Sequence, residues 1–210
     1  IALLFIALSG CSDSNNNENH SPTPLKATSL NNSWQSIDDG LETPESVIHD
    51  DVNRVIYASN VNRTVSGSPW KDNSGYISML DENGAILEQQ WATGLMAPKG
   101  MAIHDFKLYV ADLNTVAVID TITGDVLDTL TAPSGSDHLN DIVYDPSSDM
   151  LYVSDSDDDV IFQIDSSGNF SVFYAAEVNS PYQNGMYLDR GKIIMTGSDG
   201  FVKSLNITDG

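Results

Sequence analysis

Four residues at matching places in a repeated phrase carry the chemistry this chain offers: Glu45, Lys99, Asn140 and Asn184. The residues after them are Ser46, Gly100, Asp141 and Gly185. One carboxylate and two carboxamide oxygens around a common point suit a hard divalent cation (calcium, magnesium or manganese), which takes oxygen ligands and keeps some of its waters. Zinc, which favours Cys and His, fits these residue types less well. The same residues also have a plain structural use. Asn at the start of a strand satisfies backbone groups of the turn before it, and Glu45 can pair with Lys99. From spacing alone both readings stand, and Lys99 opposes a cation unless its side chain turns away.

The phrase that positions them reads PESVIHDDVNRVIYASN at residues 44–60, PKGMAIHDFKLYVAD at 98–112, LNDIVYDPSSDMLYVSD at 139–155 and QNGMYLDRGKIIMTG at 183–197. Each copy is a short apolar strand, a polar turn and a second strand that usually closes on Asp or Asn. Third strands begin near Gly75, Thr115, Val160 and Phe201, and fourth strands are expected at 86–91, 126–130 and 170–174. No segment has helical periodicity. A repeat of about 42 to 55 residues made of short strands is the pattern of a propeller blade. The fold class is therefore all-β, a β-propeller with about four blades present. The distance from Ser46 to Asn60 equals that from Asp141 to Asp155, while the two other copies are shorter by the same amount, in the turn. The chain stops at Gly210 after a third strand, so the expectation is a fragment of a six-bladed ring, incomplete at its C-terminus. In a propeller the positions before successive inner strands gather at one mouth of the central channel.

Thirty acidic residues against nine Lys and Arg give a formal charge of -21. That argues against nucleic acid, whose phosphates need a cationic surface, and against electrostatic docking on anionic lipid. The excess of acid reads first as solubility and second as cation binding. The single cysteine, Cys11, excludes an intrachain disulfide. It follows an apolar run too short to span a bilayer but suited to a signal peptide. Leu8-Ser9-Gly10-Cys11 resembles the lipobox of bacterial lipoproteins, in which the Cys sulfur carries the lipid; an ordinary secretory signal with a chance Cys is the alternative. Ser12 after it resembles sorting to the outer membrane. The domain plan is a lipoprotein signal at 1–11, a disordered tether rich in Asn, Ser, Pro and Thr at 12–40, and the propeller at 41–210. A monomer in the bacterial envelope, held to the membrane by a lipid anchor, is expected.

Glu45-Ser46-Val47, Asn140-Asp141-Ile142 and Asn184-Gly185-Met186 resemble the blade-opening motifs of the gluconolactonase and regucalcin-like family, roughly Glu-Gly-Pro, Asn-Asp-Gly and Asn-Gly-Leu. The resemblance runs from about Pro44 to the end, on a repeat that is also similar to NHL-type propellers. It implies six blades, one divalent metal held by Glu45, Asn140 and Asn184, and, where members are enzymes, hydrolysis of sugar lactones. Lys99 departs from that pattern. The family's Asp, both ligand and general base, would fall in a later blade, so no base is named.

Other candidates are weaker. The long loop 61–74 places Trp70 near Arg63 and Lys71, as a platform for a sugar or lactone or as a surface loop packed by its own Trp. Residues 155–159, DSDDD, lack the Gly and distal Glu of a calcium loop and read as a solvated turn. His138 could reach the channel as an acid or base, or sit on a solvated edge. His49 and His104 are expected in turns on the opposite face, without a role. No nucleophile elbow, phosphate loop or dinucleotide fingerprint occurs. The expected function is a binding scaffold that presents the channel mouth to a small molecule, glycan or envelope protein; the alternative is a metal-dependent hydrolase of sugar lactones.

Overall fold

Runs of Val, Ile, Tyr and Leu between turns rich in Asp, Asn and Gly become strands throughout. A computed structural model describes residues 40–62, 73–176, 183–197 and 200–208, all in the unit Trp34–Gly210. Cys11, the lipobox, the tether up to residue 39, and Arg63, Trp70 and Lys71 lie outside the described residues. The first sheet pairs β1 (Pro44–Asp50), β2 (Val55–Asn60), β3 (Gly75–Asp81) and β4 (Ile86–Leu95) in sequence order. The second holds β5 (Pro98–His104), β6 (Lys107–Asp112), β7 (Thr115–Asp120) and β8 (Val126–Thr131). The third holds β9 (Leu139–Asp145), β10 (Met150–Asp155), β11 (Val160–Ile164) and β12 (Phe170–Ala175), and the fourth β13 (Gln183–Asp189), β14 (Lys192–Gly197) and β15 (Val202–Asn206). Every pairing is antiparallel, and β1, β5, β9 and β13 pack on one another in turn. No helix occurs among the described residues.

The core lies between blades. Tyr57, Ile77 and Trp91 of the first blade bury against Met101, Leu108 and Ile119 of the second. Ala102, Val116 and the second blade's neighbours close on Leu139, Ile142, Val153 and Phe162 of the third. Tyr152 and Ile161 then meet Met186, Ile193 and Met195 of the fourth. Each such aliphatic side chain contributes about 1.5–3 kcal/mol when fully buried, and no blade can bury its own faces alone. The outer strands are exposed, as β8 shows, where Asp128 blunts an open edge.

Acidic residues shape the turns. Oδ1 of Asp81 accepts from the amides of Asn83 and Ala85, that of Asp120 from Ile122 and Thr123, and that of Asp165 from Ser167 and Asn169. Asp50 and Asp145 do the same between first and second strands. Such Asx turns give many of the carboxylates a structural task beside solubility. His49 and His104 are strand residues near the ends of β1 and β5, because the ladder reaches His49↔Ile56 and His104↔Lys107 before the turn begins.

Candidate functional site

Every inner strand opens with a bulge. β1 pairs Pro44 with Asn60 but Ser46 with Ser59, which leaves Glu45 as an extra residue. β5 sets Lys99 and Gly100 against Ala111 alone, β9 sets Asn140 and Asp141 against Ser154, and β13 sets Asn184 and Gly185 against Thr196. A bulge re-aims its side chain and leaves backbone groups out of the ladder. The four ring positions read from the sequence are thus the four bulged positions.

Hydroxyls on the facing strands satisfy the backbone that the bulges leave over. Ser59 Oγ accepts from the Ser46 amide at 3.0 Å. Ser154 Oγ accepts from the Asp141 amide at 3.0 Å and donates to the Asn184 carbonyl at 3.0 Å, which joins the third blade to the fourth. Thr196 Oγ1 donates to the Gly185 carbonyl at 3.5 Å. Sequence reading does not single these residues out, although a hydroxyl just before the closing residue in three copies is the signal.

The second blade has Ala111 at that place, and Asp141 of the third blade packs against its bulge. A Cβ on Gly100 would lie 2.2 Å from Asp141 Oδ1, so only glycine admits the carboxylate. Oδ1 accepts from the Ile142 amide at 2.9 Å and Oδ2 from the Met186 amide at 2.6 Å. Burial pushes the Asp141 carboxyl above its ordinary range, the two amides oppose that, and the Glu45 charge adds to it. Asp141 is therefore a strut across three blades rather than a free group in the channel.

Lys99 turns under the ring. It is 2% exposed, and Nζ donates to the carbonyls of Ala97 and Leu139, each at 3.4 Å. Its charge and the amides of Met96 and Ala97 favour the ionised Asp112, whose carboxyl burial nevertheless pushes up. Asn60 caps the opening of the first blade in the same way, accepting from the Glu42 amide.

Glu45 and Asn184 are exposed and Asn140 is 9% exposed. Among the described residues, none of these three side chains makes a hydrogen bond or ion pair. The alternative read from the sequence, turn-capping Asn and a Glu45–Lys99 pair, is not what they do. No three Asp, Glu, His or Cys side chains gather as a metal group among the described residues; a cation at the ring would rest on one carboxylate and two amides.

His138 stands before the third bulge with Nδ1 3.3 Å from Asp157 Oδ1, and its carbonyl accepts from the Ser156 amide. The acidic loop thereby folds back on the opening of its own blade. Asp157 and Asp158 are exposed, as a solvated turn requires, but Asp155 is wholly buried because it closes β10. Its Oδ1 accepts from the amides of Asp157 and Asp158, and burial pushes its carboxyl up.

No family model matches the sequence, and no curated protein does. Among solved structures, a chain of the nidogen/laminin complex superposes with a TM-score of 0.63 at 19% identity, over 80% of this chain and 62% of that one. The chain is a β-propeller. It spans less than two thirds of that neighbour's length. The computationally designed Ika4 protein is also similar, with a TM-score of 0.55 at 12% identity, over 83% of this chain and 98% of the design. At these identities the likeness is one of fold.

Proposed function

We propose that the chain is a binding scaffold of the bacterial cell envelope that meets its ligand at the channel-mouth ring, with a divalent cation held there by Glu45, Asn140 and Asn184. The observation that carries this reading is the contrast within the ring. The bulge backbone and the Asp141 carboxylate are capped, while three oxygen-bearing side chains on bulges have no partner within the described residues. The residue types fit a hard cation, and the Lys99 ammonium is held by the carbonyls of Ala97 and Leu139 rather than by the three ring oxygens. A cation with so few protein ligands keeps waters, which oxygens of a small molecule, a glycan or a protein carboxylate displace. A propeller of similar fold occurs in a nidogen/laminin complex, which supports a protein as partner. Lipidation at Cys11 and the polar stretch behind it would hold the propeller off the outer membrane. To test this, a photo-crosslinking residue is placed at position 44, exposed beside Glu45, in living cells, with a control at Glu88 on the exposed outer strand of the first blade. The reading expects a discrete adduct from position 44 that chelator added before irradiation prevents; equal yields from both positions contradict it.

A second reading rests on the same residues and on their resemblance to gluconolactonase-like motifs. A divalent ion at this ring would polarise a lactone carbonyl, while Glu45, Asn140 and Asn184 orient the ion. Asp141 does not serve as base in that scheme, because both of its oxygens accept backbone amides. Sugar-lactone hydrolysis that depends on added metal and falls with Glu45→Gln would favour this reading over a scaffold.

A further inference from the structure

At the far end of β5 from Lys99, a groove of about 420 Å3 opens between the second and third blades. Its origin is a missing filler. The second strands carry Tyr57, Tyr109 and Tyr152 at matching places, paired through the third strands with Glu88, Asp128 and Ser171 on the outer strands. The next shared register points are Ala92, Leu130 and Tyr174. Between them the first blade has Gln89, Gln90 and Trp91, the third has Val172 and Phe173, and the second has Thr129 alone. The extra residues supply the cover. Trp91 stacks on Tyr57 with centroids 4.6 Å apart, and Phe173 meets Tyr152 edge-on at 4.9 Å. Among the described residues Tyr109 receives no such ring, and it is half-buried at the groove wall, where Leu127, 53% exposed, and Leu130 stand beside it.

The groove also holds a built aromatic stack. His104 and Tyr144 stack with centroids 3.9 Å apart and planes 15° from parallel. Tyr144 donates its hydroxyl hydrogen to Asp149 Oδ1 at 3.0 Å, so the His104 Nε2 that faces its oxygen at 3.0 Å acts as a donor. Asp105, Asp128, Asp149 and Asp165 stand along the groove against one cation, Lys107. An aliphatic wall, an aromatic wall and a carboxylate rim match a long apolar stem that ends in a delocalised cation. We propose that this groove receives an arginine side chain from a basic segment of a partner protein, its stem along Leu127 and Leu130, its guanidinium beside the aromatic stack at the carboxylates of Asp105 and Asp149. The site is independent of the channel mouth, and its partner is complementary to a chain of charge -21.

The test uses the intact protein and a blocked pentapeptide Gly-Ser-Arg-Ser-Gly, beside the same peptide with citrulline, which keeps the shape and removes the charge. Ring resonances of His104, Tyr109 and Tyr144 are followed at 0.15 M salt, about physiological ionic strength. Asp105 and Asp149 both have φ near +50°, 48° and 56°, which Asn tolerates, so Asp105→Asn with Asp149→Asn preserves the backbone. Expected are saturable shifts with the arginine peptide alone, weakened roughly tenfold by that double variant and unchanged by Asp157→Asn with Asp158→Asn, an equal charge change elsewhere. Absence of saturation, equal binding of the citrulline peptide, or equal loss in the second double variant overturns the proposal. If guanidinium ion alone binds as tightly as the peptide, the groove takes a small cation and the assignment to a protein partner falls.

Discussion

Ser154 is fully buried and holds two blades with one oxygen, accepting from the Asp141 amide and donating to the Asn184 carbonyl. Ser154→Ala leaves that part-buried amide without an acceptor, and a buried orphan donor costs its desolvation rather than the net value of a bond. The expected loss is about 1–2 kcal/mol, read as a shift in urea midpoint at constant slope; an unchanged midpoint would mean that another acceptor already serves the bulge. At this scale the sequence was legible in part. Glu45, Asn140 and Asn184 stood out because their types recur at one place in the repeat. Asp141 did not, since its task depends on a neighbour two blades' edges away: the space beside Gly100 and the amide of Met186. Contacts made across blades leave no trace in local spacing.

The bulged inner strand is the element that turns a repeat into a ring of side chains. Gly100 and Gly185 occupy matching bulge positions yet differ in what surrounds them. A Cβ on Gly100 would meet Asp141 Oδ1 at 2.2 Å and the Asp141 Cα at 2.6 Å, whereas on Gly185 the nearest atom is Thr196 Oγ1 at 3.4 Å. Gly100→Ala should therefore destabilise by about 1–3 kcal/mol as β5 and β9 are forced apart, and Gly185→Ala should stay within about 0.5 kcal/mol of the parent. Thermal denaturation of the pair checks this, and equal melting temperatures would contradict the close approach. Strand positions were readable from alternation and turn chemistry, with ends misplaced by a few residues: β4 runs on to Leu95 where 86–91 was expected. The groove between the second and third blades was not readable, because it arises from Thr129 standing where Gln89–Gln90–Trp91 stand in the first blade, a difference in bulge length rather than in composition.

For the whole molecule the acidity has two opposed groups of carboxylates. Burial raises Asp112, Asp141 and Asp155, so their contribution to stability is present below the ordinary carboxylate pKa of 3.8 and is lost as pH rises through their folded values. Backbone and side-chain bonds in turns lower Asp81 and Asp165, and lower Asp145 against the effect of burial; their contribution is present above 3.8 and is lost as pH falls through their folded values. Self-repulsion at charge -21 also eases toward the isoelectric point near 4.1. Melting temperature should thus rise as pH falls from neutrality toward 3.8 and drop again below it. Scanning calorimetry at low protein concentration would show it, and a steady decline from neutrality down to 3.8 would contradict the assignment of the buried carboxylates. The most direct test of the ring is titration of calcium, magnesium and manganese by isothermal calorimetry into the intact protein beside Glu45→Gln. The account predicts saturable binding at one site, lost or strongly weakened in the variant. Heats that match nonspecific screening of an acidic surface, the same in both proteins, would contradict it.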